Sequence, residues 1–154
     1  MFEWLETLPF ALALQRSGTL YLFVNAAHIA AIGLLVGTIV SLDLRMLGAF
    51  RSVPLPMLAP FLSRMAAGGL VLAVLTGVLL FSVWPAEYAV NPAFLAKLAL
   101  VALGILNALW LHAGRHWRGA LSDGSVPAAA KAHALGSLLL WLAAVVAGRW
   151  IGFL

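Results

Sequence analysis

The chain has no cysteine among its 154 residues, which excludes disulfides, thiolate metal sites and thiol redox chemistry within it. Charge is nearly as scarce. Only 9% of residues are Asp, Glu, Lys or Arg, and 64% are apolar; a soluble domain carries roughly 25% charged residues and roughly half apolar ones. With a mean hydropathy of +1.07, a water-soluble fold is excluded and an integral membrane protein remains. Period-2 alternation in segments of about 10 residues, the mark of a membrane β-barrel, is also missing. So are a Ser-His-Asp set, a phosphate loop and paired carboxylates, and hydrolytic chemistry has no support. The net charge of +4 comes from Lys and Arg at helix ends, which points to a lipid bilayer and not to nucleic acid.

What is present is long apolar runs. Thr19–Leu42, about Leu58–Trp84, about Ala93–Ala113 and about His133–Phe153 each reach the ~20 residues a helix needs to cross a hydrocarbon core. The expected fold is all-α: one transmembrane domain over residues 1–154, built as an antiparallel up-down four-helix bundle. Breakers agree with the boundaries: Pro54, Pro56 and Pro60, then Pro85 and Pro92, then Gly124 and Pro127. MFEWLETLPF has no basic n-region and carries Glu3 and Glu6, so it reads as a short interfacial helix disturbed by Pro9 and not as a signal peptide.

Six of the nine Lys and Arg residues (Arg45, Arg51, Arg64, Arg115, Arg118, Lys131) fall in or beside the connections after spans one and three. Arg16, Lys97 and Arg149 fall on the other side. The expectation is a bacterial inner-membrane protein with both termini on the non-cytoplasmic side. Each span also has a ridge of small residues, read as helix-packing surfaces: Ala26, Ala30, Gly33, Gly37 and Ser41 in span one; Gly69, Ala73, Thr76 and Gly77 in span two; Val101, Gly104 and Ala108 in span three; Ser137, Ala144 and Gly148 in span four.

Several polar residues are not explained by packing. His28, in NAAHIA, sits roughly 13 Å below the outer boundary of span one at about 1.5 Å per residue, with Asn25 on the same side and the small ridge nearly opposite. An ionisable group at that depth is either hydrogen-bonded to a neighbouring helix or functional, as a cofactor or metal ligand or a proton or substrate group. Lys97 and Arg149 lie about one turn in from the outer ends of spans three and four. They either snorkel to the headgroups or converge with His28 on an outer-leaflet pocket for an anion or a quinone oxygen, closed by Asn91 and Glu87. On the inner side, His112 and His116 stand at i, i+4 with His133 at a similar depth. They are interfacial basic residues or, together, ligands for a metal or haem iron. Asp43 and Arg45, in SLDLRMLG, pair with each other or with Arg64 as a cap and orientation signal.

AAHIAAIGLLVG, SLDLRMLG, NPAFLAKLALVALGILNALWLH and GSLLLWLAAVVAGRW together resemble an uncharacterised bacterial family of four-span membrane proteins, a domain of unknown function. The resemblance runs from about Ala26 to Trp150 and implies the fold. It also implies a set of marked positions: His28, Asp43 to Gly48, Asn91, Pro92, Lys97, Asn107, His112, Gly148 and Arg149. A looser likeness is architectural, to the four-helix cytochrome b561-like superoxide oxidases, which hold haem between transmembrane histidines. Depth resists its simplest form, since His112 lies about 27 Å from the outer boundary and His28 about 13 Å.

The functional expectation is a small membrane redox protein holding haem b, interacting with quinone, or both. Its cofactor residues are His28, Asn25, Lys97, Asn107, His112 and Arg149, with His28, His112 and His133 as candidate iron ligands. The alternatives are an accessory or assembly subunit of a membrane complex and an oligomeric small-anion transporter. A homo-oligomer or a larger membrane complex is the partner expected beyond lipid.

Overall fold

The computed structural model describes residues 3–114, 117, 119, 122 and 125–153. Helices α1 (Glu3–Glu6) and α2 (Pro9–Arg16) precede four long ones: α3 (Gly18–Leu47), α4 (Leu55–Phe81), α6 (Pro92–Ala113) and α7 (Ala128–Trp150). A short α5 (Pro85–Val90) joins α4 to α6, and a 3-10 turn, Ile151–Phe153, follows α7. The four long helices are each long and apolar enough to cross a membrane.

Local chemistry sets their ends. Ser17 Oγ accepts from the Leu20 N–H at 3.2 Å and caps α3, which stops at Gly48, whose φ of 112° only glycine adopts readily. Asn91 Oδ1 accepts from the N–H groups of Ala93 and Phe94 at 3.0 and 3.1 Å, and Pro92 opens α6. The helix α4 begins at Leu55, earlier than the prolines suggest. Pro56 falls in the first turn, where no intrahelical donor is lost, and Pro60 is carried inside the helix. Likewise α7 starts at Ala128, because the alanine-rich AAAKA after Pro127 propagates helix well before His133. Pro9 does not disturb one amino-terminal helix; it separates two, opening α2.

The long helices run antiparallel, placing the start of α3 and the end of α7 at one end of the bundle, here the terminal end; the end of α3, the start of α4, the end of α6 and the start of α7 lie at the other, the loop end. The helix α3 packs on α4 and α7, and α6 packs on α7. The loop end is the best filled, with Leu42, Met46, Leu55, Leu62, Leu111 and Ala134 in one cluster. Large apolar side chains such as Leu22, Phe23, Val71, Leu75, Leu106 and Leu139 face outward all round, as a hydrocarbon surround allows and water does not.

In three of the four small ridges at least one member packs against a neighbouring helix, as Gly69, Gly104, Ser137 and Ala144 do. A Cβ on Gly69 would stand 2.7 Å from the Leu35 backbone nitrogen, and one on Gly104 2.9 Å from the Trp141 indole. The ridge of span one does the reverse. Ala26, Ala30, Gly33, Gly37 and Ser41 are all exposed, with nothing near a Cβ on either glycine. The packing face of α3 is instead the row of Ala31, Leu35, Leu42 and Met46, and His28 is the member of that row nearest the terminal end. Heptad spacing, 28–35–42, explains this: larger side chains fill the gap between helices more fully than the ridge opposite.

Candidate functional site

His28 lies ten residues into α3, about 15 Å from its start. Its Nδ1 is 2.8 Å from the Thr76 hydroxyl of α4. That hydroxyl has one proton, and it goes to the Leu72 carbonyl at 2.6 Å. Thr76 therefore accepts, His28 Nδ1–H donates, and Nε2 of the neutral ring keeps its lone pair. The Cε1 edge of the ring lies against Gly77, where a Cβ would come within 3.2 Å of it. An alanine at 77 would require the imidazole to give by a few tenths of an ångström.

Lys97 reaches the same level from α6. Its stem crosses Gly148 of α7, with Cδ 3.5 Å and Nζ 4.0 Å from where a Cβ would be. Its ammonium is within electrostatic reach of the His28 ring, and among the described residues no carboxylate pairs with it. Both side chains are half-buried. One imidazole and one cation thus come within electrostatic reach of each other, each beside a glycine of a neighbouring helix. Asn25, one turn along α3, is half-buried beside them.

Arg149 does not join this pair. It is exposed, with its guanidinium carbon 4.5 Å above the Phe153 ring and Nη1 beside Gly152. Asn91 is committed to its cap, and its Nδ2 donates to the Ile151 carbonyl at 3.4 Å; Glu87 is exposed. Above the site, Phe81 stacks on Phe94 with centroids 5.4 Å apart, and Tyr88 tilts against both. Burial pushes the Tyr88 phenol above its ordinary pKa, and the Tyr21 hydroxyl and the Glu87 carboxylate add to this.

His112 and His133 sit near the loop end, apart from His28 and from each other's bonding. His133 Nδ1 donates to Asn107 Oδ1 at 2.7 Å, and Asn107 Nδ2 donates back to the His133 carbonyl at 3.0 Å. The pair clamps α6 to α7. His112 turns toward α4: Nδ1 donates to the Ala108 carbonyl at 2.7 Å, which leaves Nε2 to accept from Ser63 Oγ at 3.3 Å. His116, Arg115 and Arg118 lie outside the described residues. Among the described residues no group of three or more metal-ligating side chains forms.

Asp43 and Arg45 do not pair as expected. Arg45 Nε donates to the Val53 carbonyl at 2.8 Å, holding the α3–α4 connection. Asp43 is buried against α7, accepts from the Ser137 hydroxyl, and leaves Oδ2 without a partner. The distance from α3 to α7 in sequence hides that contact.

The model of the "Family of unknown function (DUF6644)" matches residues 1–154. The chain belongs to this family. No curated protein and no solved structure matches it. The family resemblance read from the sequence therefore holds, and it marked His28 and Lys97. Thr76, Gly77 and Gly148, which position those two side chains, had registered only as small packing residues. The one available signal was a hydroxyl within the small ridge of span two.

Proposed function

We propose that this protein is a small membrane redox component that binds a quinone or quinol head between α3, α4 and α6, at His28 and Lys97. The observation that carries the reading is the 2.8 Å contact of His28 Nδ1 with a Thr76 hydroxyl that also lies 2.6 Å from the Leu72 carbonyl. Thr76 takes the Nδ1 proton, so Nε2 is ready to accept a hydrogen bond, or a proton, from a ligand hydroxyl. Lys97 supplies the complementary donor for a ring oxygen and favours negative charge developing there. A lone imidazole and a lone ammonium inside hydrocarbon are costly, and a ligand that meets both offsets the cost. Binding and proton acceptance are what these residues provide; a haem or a partner redox protein would take the electrons of a quinol.

A b-type haem on this chain has one support, the free Nε2 of His28 over a hydrogen-bonded Nδ1, the arrangement that orients ligating histidines. A second imidazole for such a haem would have to come from another copy of the chain, because among the described residues His112 and His133 are engaged near the opposite end. The proposed setting is the bacterial inner membrane with the terminal end on the non-cytoplasmic side, on the six-to-three division of Lys and Arg. A second reading, an accessory subunit or oligomer, is favoured by the exposed ridge at Gly33 and Gly37, since small residues on a lipid-facing helix admit close approach of another helix.

Equilibrium binding of a quinone to the purified protein in nanodiscs tests the first reading. His28→Ala and Lys97→Gln should each weaken binding about tenfold or more, the effect of one lost charge-assisted or buried hydrogen bond. Unchanged binding in both variants refutes it. A reduced-minus-oxidised visible spectrum of the same sample tests the haem: a haem band that is lost in His28→Ala supports it, and a featureless spectrum removes it.

A further inference from the structure

The bundle does not close around His28 and Lys97 on every side. The α3–α7 side is shut, with Ala31, Leu35 and Leu42 of α3 buried, and Ala134, Ser137 and Trp141 of α7 buried against them or against α6. Across the bundle, α4 and α6 are bridged by side chains at two levels. Phe81 stacks on Phe94 toward the terminal end, and Ser63 bonds His112 toward the loop end. Between these bridges, Ala66, Leu70 and Ala73 of α4 and Val101, Ile105 and Ala108 of α6 lie at intermediate levels of the two helices. Every one of these six is half-exposed and none is buried.

Four helices that bury one seam and leave the facing seam open have a slot in their wall. The slot lies between two bridges at membrane depth and is lined by apolar side chains, so what it meets is hydrocarbon. The terminal end is covered by the Phe81, Tyr88 and Phe94 rings, and Gln15 of α2 ties down the α4–α5 turn through the Val83 carbonyl at 3.4 Å. His28 and Lys97 stay half-exposed beneath that roof.

We infer that the site is filled sideways from the bilayer through the α4–α6 slot. Its ligand is a tailed, lipid-phase quinone whose head rests at His28 and Lys97 and whose tail lies along Val101 and Leu70; it is not a water-soluble anion. This rests on the quinone reading above. The slot contributes no polar group of its own at mid-depth, so it selects for a hydrocarbon tail and leaves recognition to the head.

The test is stopped-flow association of a decyl-tailed quinone, and of the same head without a tail, with protein in nanodiscs. Val101→Trp fills the slot, and Leu70→Phe fills it more gently should the tryptophan prevent folding; thermal unfolding of each variant checks that the bundle is intact. The expected result is that both substitutions slow association of the tailed quinone by roughly tenfold or more, and that the tailless head binds more weakly than the tailed one. Wild-type association rates in a folded slot variant, or equal binding of the two quinones, overturn the lateral route and assign loading to the aqueous side. If wild-type protein binds neither quinone saturably, or His28→Ala and Lys97→Gln both bind as wild type does, the quinone reading itself fails and the inference falls with it.

Discussion

A hydroxyl that has already given its proton away decides the chemistry of the imidazole beside it. Thr76 is that hydroxyl, and His28 Nε2 is a hydrogen-bond acceptor because of it. Thr76→Val removes the acceptor for Nδ1–H while keeping the shape. It should destabilise the bundle by about 1 kcal/mol, the size of one hydrogen bond between membrane helices, and weaken quinone binding as well. Unfolding in a detergent titration measures the first, and the nanodisc assay the second. Asn107→Ala removes both bonds of its clamp on His133 and should cost about 1–3 kcal/mol in the same titration, with no effect on binding at the other end. The residue scale is also where sequence reading was least complete. Depth along a helix follows from counting, so His28 and Lys97 stood out as costly; which hydroxyl, carbonyl or glycine meets each one depends on contacts between helices. Arg149 shows the same limit, since snorkelling or joining the site gives it the same position in the sequence, and the Phe153 ring decides between them.

At the scale of the element, glycine has opposite meanings on neighbouring helices. Gly69 of α4 touches the α3 backbone, and a Cβ there would sit 2.7 Å from the Leu35 nitrogen, a contact that must be relieved by moving a helix. Gly69→Ala should therefore lower the unfolding midpoint and loosen α3 from α4. Gly33→Ala meets open space and should be neutral or stabilising by up to about 1 kcal/mol through helix propensity. The pair, measured side by side in one unfolding series, separates a contact glycine from an exposed one. Four spans, their antiparallel order and most boundaries were legible, because hydrocarbon demands long apolar helices and caps mark their ends. The packing face of α3 was not. Small-residue ridges and heptad rows both run along that helix, and spacing alone does not say which faces protein. The prolines before α4 likewise look like loop until Pro56 is seen to occupy the first turn.

For the whole molecule the controlling fact is asymmetry: three sides of contact, α3 with α4, α3 with α7 and α6 with α7, and a fourth side bridged only at its two ends. The loop end holds the dense cluster of Leu42, Met46, Leu55 and Leu111 and gives the bundle its anchor. The terminal end, beneath the aromatic roof, holds the His28 imidazole, bonded to Thr76 of α4, and the Lys97 ammonium, which no carboxylate among the described residues meets. Stability and binding are thereby placed at opposite ends, which is why the Asn107 and His28 substitutions should separate so cleanly. The measurement that tests the central claim most directly is nitrogen-15 NMR of histidine-labelled protein in bilayers, with the His28 signals assigned by loss in His28→Ala. The account predicts a neutral ring protonated at Nδ1, whose Nε2 resonance moves when quinone is added and does not move in Lys97→Gln. An Nε2-protonated ring, or an Nε2 resonance indifferent to quinone in the wild-type protein, would contradict it.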